Sequence, residues 1–157
     1  MSAVWPAKTL PRLAAVLALV ASVGSLFWAP RADGAGANGP GLTLQVPIST
    51  LRSARGDVFV AVYERGAWLI PGRFKTYRVA RASTGTVQVT IPNLPPGQYA
   101  LAVFHDENDN GRVDTNWAGL PTEGFGFSRV SPLRVPSFDE TSFDTRHERT
   151  VPVTIRY

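Results

Sequence analysis

Residues 105–114 read HDENDNGRVD, so Asp106, Glu107, Asn108, Asp109, Asn110 and Asp114 present six oxygen-bearing side chains within ten positions. That density of oxygen suits a hard cation. Calcium takes six to eight oxygen ligands at about 2.3–2.6 Å, and one loop supplies several of them when alternate side chains turn inward around a glycine. Counted from Asp106, the residues Asp106, Asn108 and Asn110 occupy positions one, three and five; Gly111 is sixth, the carbonyl of Arg112 seventh and Asp114 ninth. This matches the first three quarters of an EF-hand loop. The match ends at position twelve, where Trp117 replaces the bidentate Glu, and neither flank has a helical period. A DxNxNGxxD loop on a β scaffold would complete its shell with water or with a carboxylate from elsewhere, and Glu123, beyond the turn at Pro121, is the candidate. The expected metal set is therefore Asp106, Asn108, Asn110, Arg112 through its carbonyl, Asp114 and Glu123, with Ca2+ as the cofactor.

The competing reading is a metal-free Asx turn, since Asn and Asp bond their own backbone and Asn-Gly alone makes a tight turn. Charge crowding favours the cation: Asp106, Glu107, Asp109 and Asp114 lie within nine residues, and in sequence only Arg112 offsets them. No catalytic constellation stands out. His105 and His147 are the only histidines, and no nucleophile sits at a recognisable elbow. Asp106 and Glu123 form the one carboxylate pair that could do glycosidic acid/base work. Gly124-Phe125-Gly126-Phe127 could likewise present two rings to a sugar or peptide, against the commoner use of such rings as core.

The elements that must position this loop are strands. Leu42, Leu44, Val46 and Ile48 alternate with polar residues, the period of a half-buried strand. DVFVAVYE (57–64) and QYALAVFH (98–105) are apolar on both faces, which suits central strands; the second runs directly into the acidic loop. RFKTYRVA (73–80) is a weaker candidate. GTVQVTIP (85–92) alternates cleanly, and NLPPG (93–97) is a turn by composition. RTVPVTIRY (149–157) puts Val151, Val153, Ile155 and Tyr157 on one face, with Pro152 pointing to a sheet edge or a strand start. No helical period or cap is evident after residue 41. The pattern predicts an all-β fold, a small antiparallel β-sandwich or else a small barrel. The long segment 111–145 is expected to fold its aromatic residues Trp117, Phe125, Phe127, Phe138 and Phe143 back as a lid.

Ahead of this domain, MSAVWPAKTLPR carries Lys8 and Arg12 and no acid, followed by 17 uncharged residues from Leu13 to Ala29 and a small-x-small site at Ala35-Gly36-Ala37. That order is an export signal over residues 1–37, or an uncleaved membrane anchor at the short end of spanning length. Residues 38–41 read as linker and 42–157 as the domain. Cysteine is absent, which removes disulfides and thiolate metal sites. Three of the 16 Lys/Arg and one of the 12 Asp/Glu precede Asn38, leaving 13 and 11 and a net charge near +2. With no basic cluster or stripe, nucleic acid is not an expected partner.

The set LPPGQYALAVFHDENDNGRVDTNWAGLPTEGFGFS, then PSFDETSF and a final VTIRY, resembles domain of unknown function 2141, an uncharacterised family of exported bacterial domains. The likeness runs from about Leu42 to Tyr157, and SRVSPLRV departs from it by being shorter and less glycine-rich. The resemblance implies a periplasmic or secreted β-sandwich, transthyretin-like or immunoglobulin-like, related to the transthyretin-like and collagen-adhesin B-type modules that share the PPGxY turn, and it implies no known activity. The expected role is a non-catalytic binding or assembly module with an envelope or extracellular partner, touching membrane only through an uncleaved N-terminal segment. The alternative is a carbohydrate-binding or carbohydrate-active protein using the Asp/Glu and aromatic-rich loop end.

Overall fold

The computed structural model describes residues 41–157 except 71, 112, 115, 118–120 and 132–133. Eight strands, β1 (Leu42–Leu51), β2 (Asp57–Tyr63), β3 (Thr76–Arg81), β4 (Gly85–Leu94), β5 (Gln98–Asp106), β6 (Gly124–Phe127), β7 (Phe143–Asp144) and β8 (Val153–Thr154), are joined by a 3-10 turn (Arg65–Ala67) and one helical turn, α1 (Phe138–Thr141). They form two sheets, β4-β1-β8 and β3-β2-β5-β6, with β7 also paired to β5. All pairings between these strands are antiparallel except β1 with β8. The architecture is the all-β sandwich that the alternation predicts.

Between the sheets lies the principal core, to which β1 contributes Leu44, Val46 and Ile48, β2 Val58, Val60 and Val62, β4 Val87, Val89 and Ile91, and β5 Tyr99, Leu101 and Val103. Val151, Val153 and Ile155 complete it from the last segment. In β1 and β4 the alternation in sequence is thus alternation between core and solvent. The second apolar face of β2 and β5 is explained by a satellite cluster on the outer side of the second sheet, where Ala61 and Tyr63 pack with Phe59, Trp68, Phe74 and Ala102. Trp68 anchors that cover by donating its indole N–H to the Pro136 carbonyl at 3.0 Å and by meeting Phe127 and Phe138 edge-on or tilted.

The last segment joins the two sheets along one side. Gln45 N–H donates to Arg149 O at 2.7 Å, Val151 N–H to Gln45 O at 2.9 Å and Ile155 N–H to Ser49 O at 3.0 Å. Farther along, Arg156 and Phe125 exchange a pair of backbone bonds at 2.9 and 2.8 Å. Pro152 thus sits directly before β8, the end strand of the β4-β1-β8 sheet, a strand start where its missing N–H costs no bond within the strand.

Three expectations change. Strand β3 begins at Thr76 rather than Arg73. A helical turn is present: Ser137 accepts from Glu140 N and the Glu140 carboxylate accepts from Ser137 N, a reciprocal capping box. The aromatic lid is divided. Phe127, Phe138 and Phe143 are buried and Phe125 is half-buried, but Trp117 is 99% exposed and covers nothing among the described residues. Among the described residues no helix is long and apolar enough to cross a membrane. The proposed signal and linker, residues 1–37 and 38–40, lie outside the described residues.

Candidate metal loop

Strand β5 ends at Asp106, and its position is fixed by pairing with β2, where Asp57 faces Asp106. Gly56, just ahead, has φ +69 and runs so close to β5 that a Cβ there would lie 1.8 Å from the Asp106 carbonyl oxygen. The chain therefore leaves the sheet at one fixed point. Asp106 then turns its carboxylate into the loop, accepting from Asn110 N at 3.2 Å and Gly111 N at 2.7 Å. Gly111 has φ +70 and Asp109 φ +58, the left-handed backbone that Asn, Asp and Gly tolerate best.

The rest of the set converges on the same loop. Asp114 accepts the side-chain amides of Asn108 at 2.6 Å and Asn110 at 3.0 Å. Asn108 Oδ1 accepts from Asn110 N at 3.1 Å. Glu123, only 4% exposed, bridges the two limbs, with Oε1 accepting from Glu107 N at 2.9 Å and Oε2 from Asp114 N at 3.1 Å. The structure thus brings Asp106, Asn108, Asn110, Asp114 and Glu123 together; Arg112 lies outside the described residues. Burial pushes the Glu123 carboxyl above its ordinary pKa, opposed by its two backbone donors and reinforced by the charges of Asp106 and Asp114.

The charge crowding in HDENDNGRVD is resolved differently from the sequence reading. Glu107 pairs with Arg52, which also donates from Nε at 2.8 Å, and it accepts from Ser53 Oγ at 2.6 Å with Arg55 at 3.8 Å. Arg52 foremost holds the Glu107 carboxyl below its usual range. Asp109 lies 3.2 Å from Arg81, which also reaches Asp57. These arginines come from other strands and turns, so no local spacing reveals them. Asp106, Asp114 and Glu123 are left: among the described residues they pair with no cation and are held only by N–H groups. Nor do three His, Asp or Glu side chains among the described residues gather as a ready-made metal cage.

His105 is fully buried, between the Arg55 carbonyl (Nε2, 2.8 Å) and the Tyr157 hydroxyl (Nδ1, 2.6 Å). Its place is structural, at the base of the loop. The glycines of GFGF likewise serve packing: a Cβ on Gly124 would meet Ile155 at 2.5 Å, and one on Gly126 the Thr154 carbonyl at 2.6 Å. They let the last segment lie against β6, and only Phe125 keeps partial exposure.

A family model described as "Uncharacterized protein conserved in bacteria (DUF2141)" matches residues 46–152. The chain belongs to this family. The match takes in β2 to β6, the whole acidic loop and Glu123, so the loop lies inside the DUF2141 domain rather than on an appendage. No curated protein and no solved structure matches the chain.

Proposed function

We propose that this DUF2141 chain is a non-catalytic, exported binding or assembly module whose loop 106–114 takes a calcium ion, with Glu123 as the closing carboxylate. The observation that supports this reading is that Asp106, Asp114 and Glu123 are tied to one loop through its N–H groups, with no ion pair to any of them among the described residues. Glu107 and Asp109 have arginines; the hydrogen bonds to these three come, among the described residues, from neutral donors, an unfavourable arrangement for crowded, partly buried charge. A cation would offset it. The Asn110 amide that donates to Asp114 would then rotate to offer carbonyl oxygen, the two ends of an amide being nearly equal in shape, whereas Asn108 would do so by exchanging the bond its Oδ1 accepts from Asn110 N for one to the ion. The Arg112 carbonyl and water would supply the remaining ligands. The leader of residues 1–37 supports export to the periplasm or beyond, where calcium reaches the concentrations that weak extracellular sites require. Thermal melting of the protein with calcium and with chelator tests the reading, since a ligand that binds only the folded state raises the melting temperature.

A carbohydrate-binding role is the second reading, favoured by one observation: Trp117, three residues beyond Asp114, is 99% exposed, and an open indole is a stacking surface for sugars. A glycan panel read by Trp fluorescence separates the two, because saturable quenching that is lost in Trp117→Ala supports the binder, and product release would reveal an enzyme.

A further inference from the structure

Arg52 is the point at which four separate segments meet. Its guanidinium pairs with Glu107, donates to the Thr122 carbonyl at 2.9 Å and lies 4.2 Å over the Tyr157 ring. Its backbone N–H donates to the Tyr157 hydroxyl at 3.0 Å. Glu107 and Thr122 are the residues beside Asp106 and Glu123, and Glu107 N is itself a donor to Glu123. One planar fork therefore fixes the spacing between the start of the acidic loop and the carboxylate that closes it. We propose that Arg52 is the positioning residue of the loop: it holds Glu107 and Thr122 in the register that lets Glu123 span the loop from Glu107 to Asp114, and so sets the loop's affinity for a divalent cation without touching the ion. This rests on the calcium reading above. Lysine would keep the charge but not the geometry, because an ammonium cannot bind the carboxylate and the carbonyl in a fixed plane while stacking on an aromatic ring.

The experiment measures calcium affinity by titration calorimetry on the full chain, with Arg52→Ala and Arg52→Lys beside wild type. Residues that orient ligands from outside the shell typically change metal affinity about 10–100-fold, so Arg52→Ala is expected to weaken binding about tenfold or more, and Arg52→Lys to recover little of it. Binding within about twofold of wild type in Arg52→Ala, or full recovery in Arg52→Lys, overturns the proposal. Should Arg52→Ala fail to fold, Arg52→Lys alone decides by the same thresholds. If wild type itself binds no calcium, the calcium reading fails, and positioning is then read from amide exchange at Gly111 and Asp114, whose N–H groups donate to Asp106 and Glu123. Exchange faster by about tenfold or more in Arg52→Lys upholds the clamp, and unchanged exchange overturns it.

Discussion

The Tyr157 hydroxyl lies 2.6 Å from Nδ1 of buried His105, while His105 Nε2 faces the Arg55 carbonyl at 2.8 Å. A carbonyl can only accept, so Nε2 carries a proton, and in the neutral imidazole Nδ1 then accepts from Tyr157. In Tyr157→Phe, Nδ1 keeps its place in the interior and loses its donor. An unsatisfied buried group costs about 1–3 kcal/mol, and urea unfolding is expected to show a loss in that range. A loss under about 0.5 kcal/mol would mean that the hydroxyl contributes nothing at this site.

Gly126→Ala tests the seam between β6 and the last segment. The added Cβ would lie 2.6 Å from the Thr154 carbonyl oxygen and 2.8 Å from Val153, and the backbone atom cannot move aside without breaking the seam. Overpacking of this kind costs about 1–3 kcal/mol. Gly66→Ala is the control, since a Cβ there meets nothing within 4 Å. Equal melting temperatures for the two variants would contradict the seam.

The capping box of α1 gives a pH prediction. The Arg134 guanidinium, followed by the backbone N–H and hydroxyl of Ser137, holds the Glu140 carboxyl down to about 2 from an ordinary 4.5. A carboxylate depressed in the folded state stabilises it fully above the unfolded value and loses that contribution as pH falls through the folded one. The box is thus intact at pH 5 and weakens toward pH 2. Carbon-detected NMR titration of Glu140 should give a low midpoint that moves up in Arg134→Ala. A wild-type midpoint at the ordinary value would remove the box.

How far the sequence discloses this molecule depends on whether a signal is local. β1 and β4 were legible because burial alternates along them, and β2 and β5, the two doubly apolar strands, because they carry packing on both faces. The one-turn α1 is too short to show a helical period, although Ser137-x-x-Glu140 spells its capping box. Trp117 was misplaced because hydrophobicity alone ranked it with Phe127 and Phe138, which have Trp68 to pack against. In the loop, Asp106, Asn108, Asn110 and Asp114 could be read from spacing, and Glu123 from the need for the chain to return. Arg52, Arg55 and Arg81 could not, since they reach Glu107 and Asp109 from 28 to 55 positions away in sequence.

The same locality makes the core prediction firm. Val60 and Leu101 are both fully buried between the sheets, and an unpaired carboxylate there costs several kcal/mol against a total stability of about 5–15. Val60→Asp and Leu101→Asp should both be unfolded by circular dichroism at 25 °C. Wild-type melting of either would contradict the strand assignments.

The central claim is that loop 106–114 takes calcium, and thermal melting with and without the ion tests it most directly. A site with few formal charges and part of its shell left to water should bind at about 10⁻⁵ to 10⁻³ M. At about 1 mM calcium this corresponds to roughly 2.7 down to 0.4 kcal/mol, or a rise in Tm of about 2–10 °C for a domain of this size. Chelator should reverse the rise, magnesium should give less of it, and Asp106→Ala or Asp114→Ala should abolish it. Glu123→Gln should weaken it. Identical melting of the wild-type protein in calcium and in chelator would contradict the account and leave HDENDNGRVD a polar turn closed by Glu123.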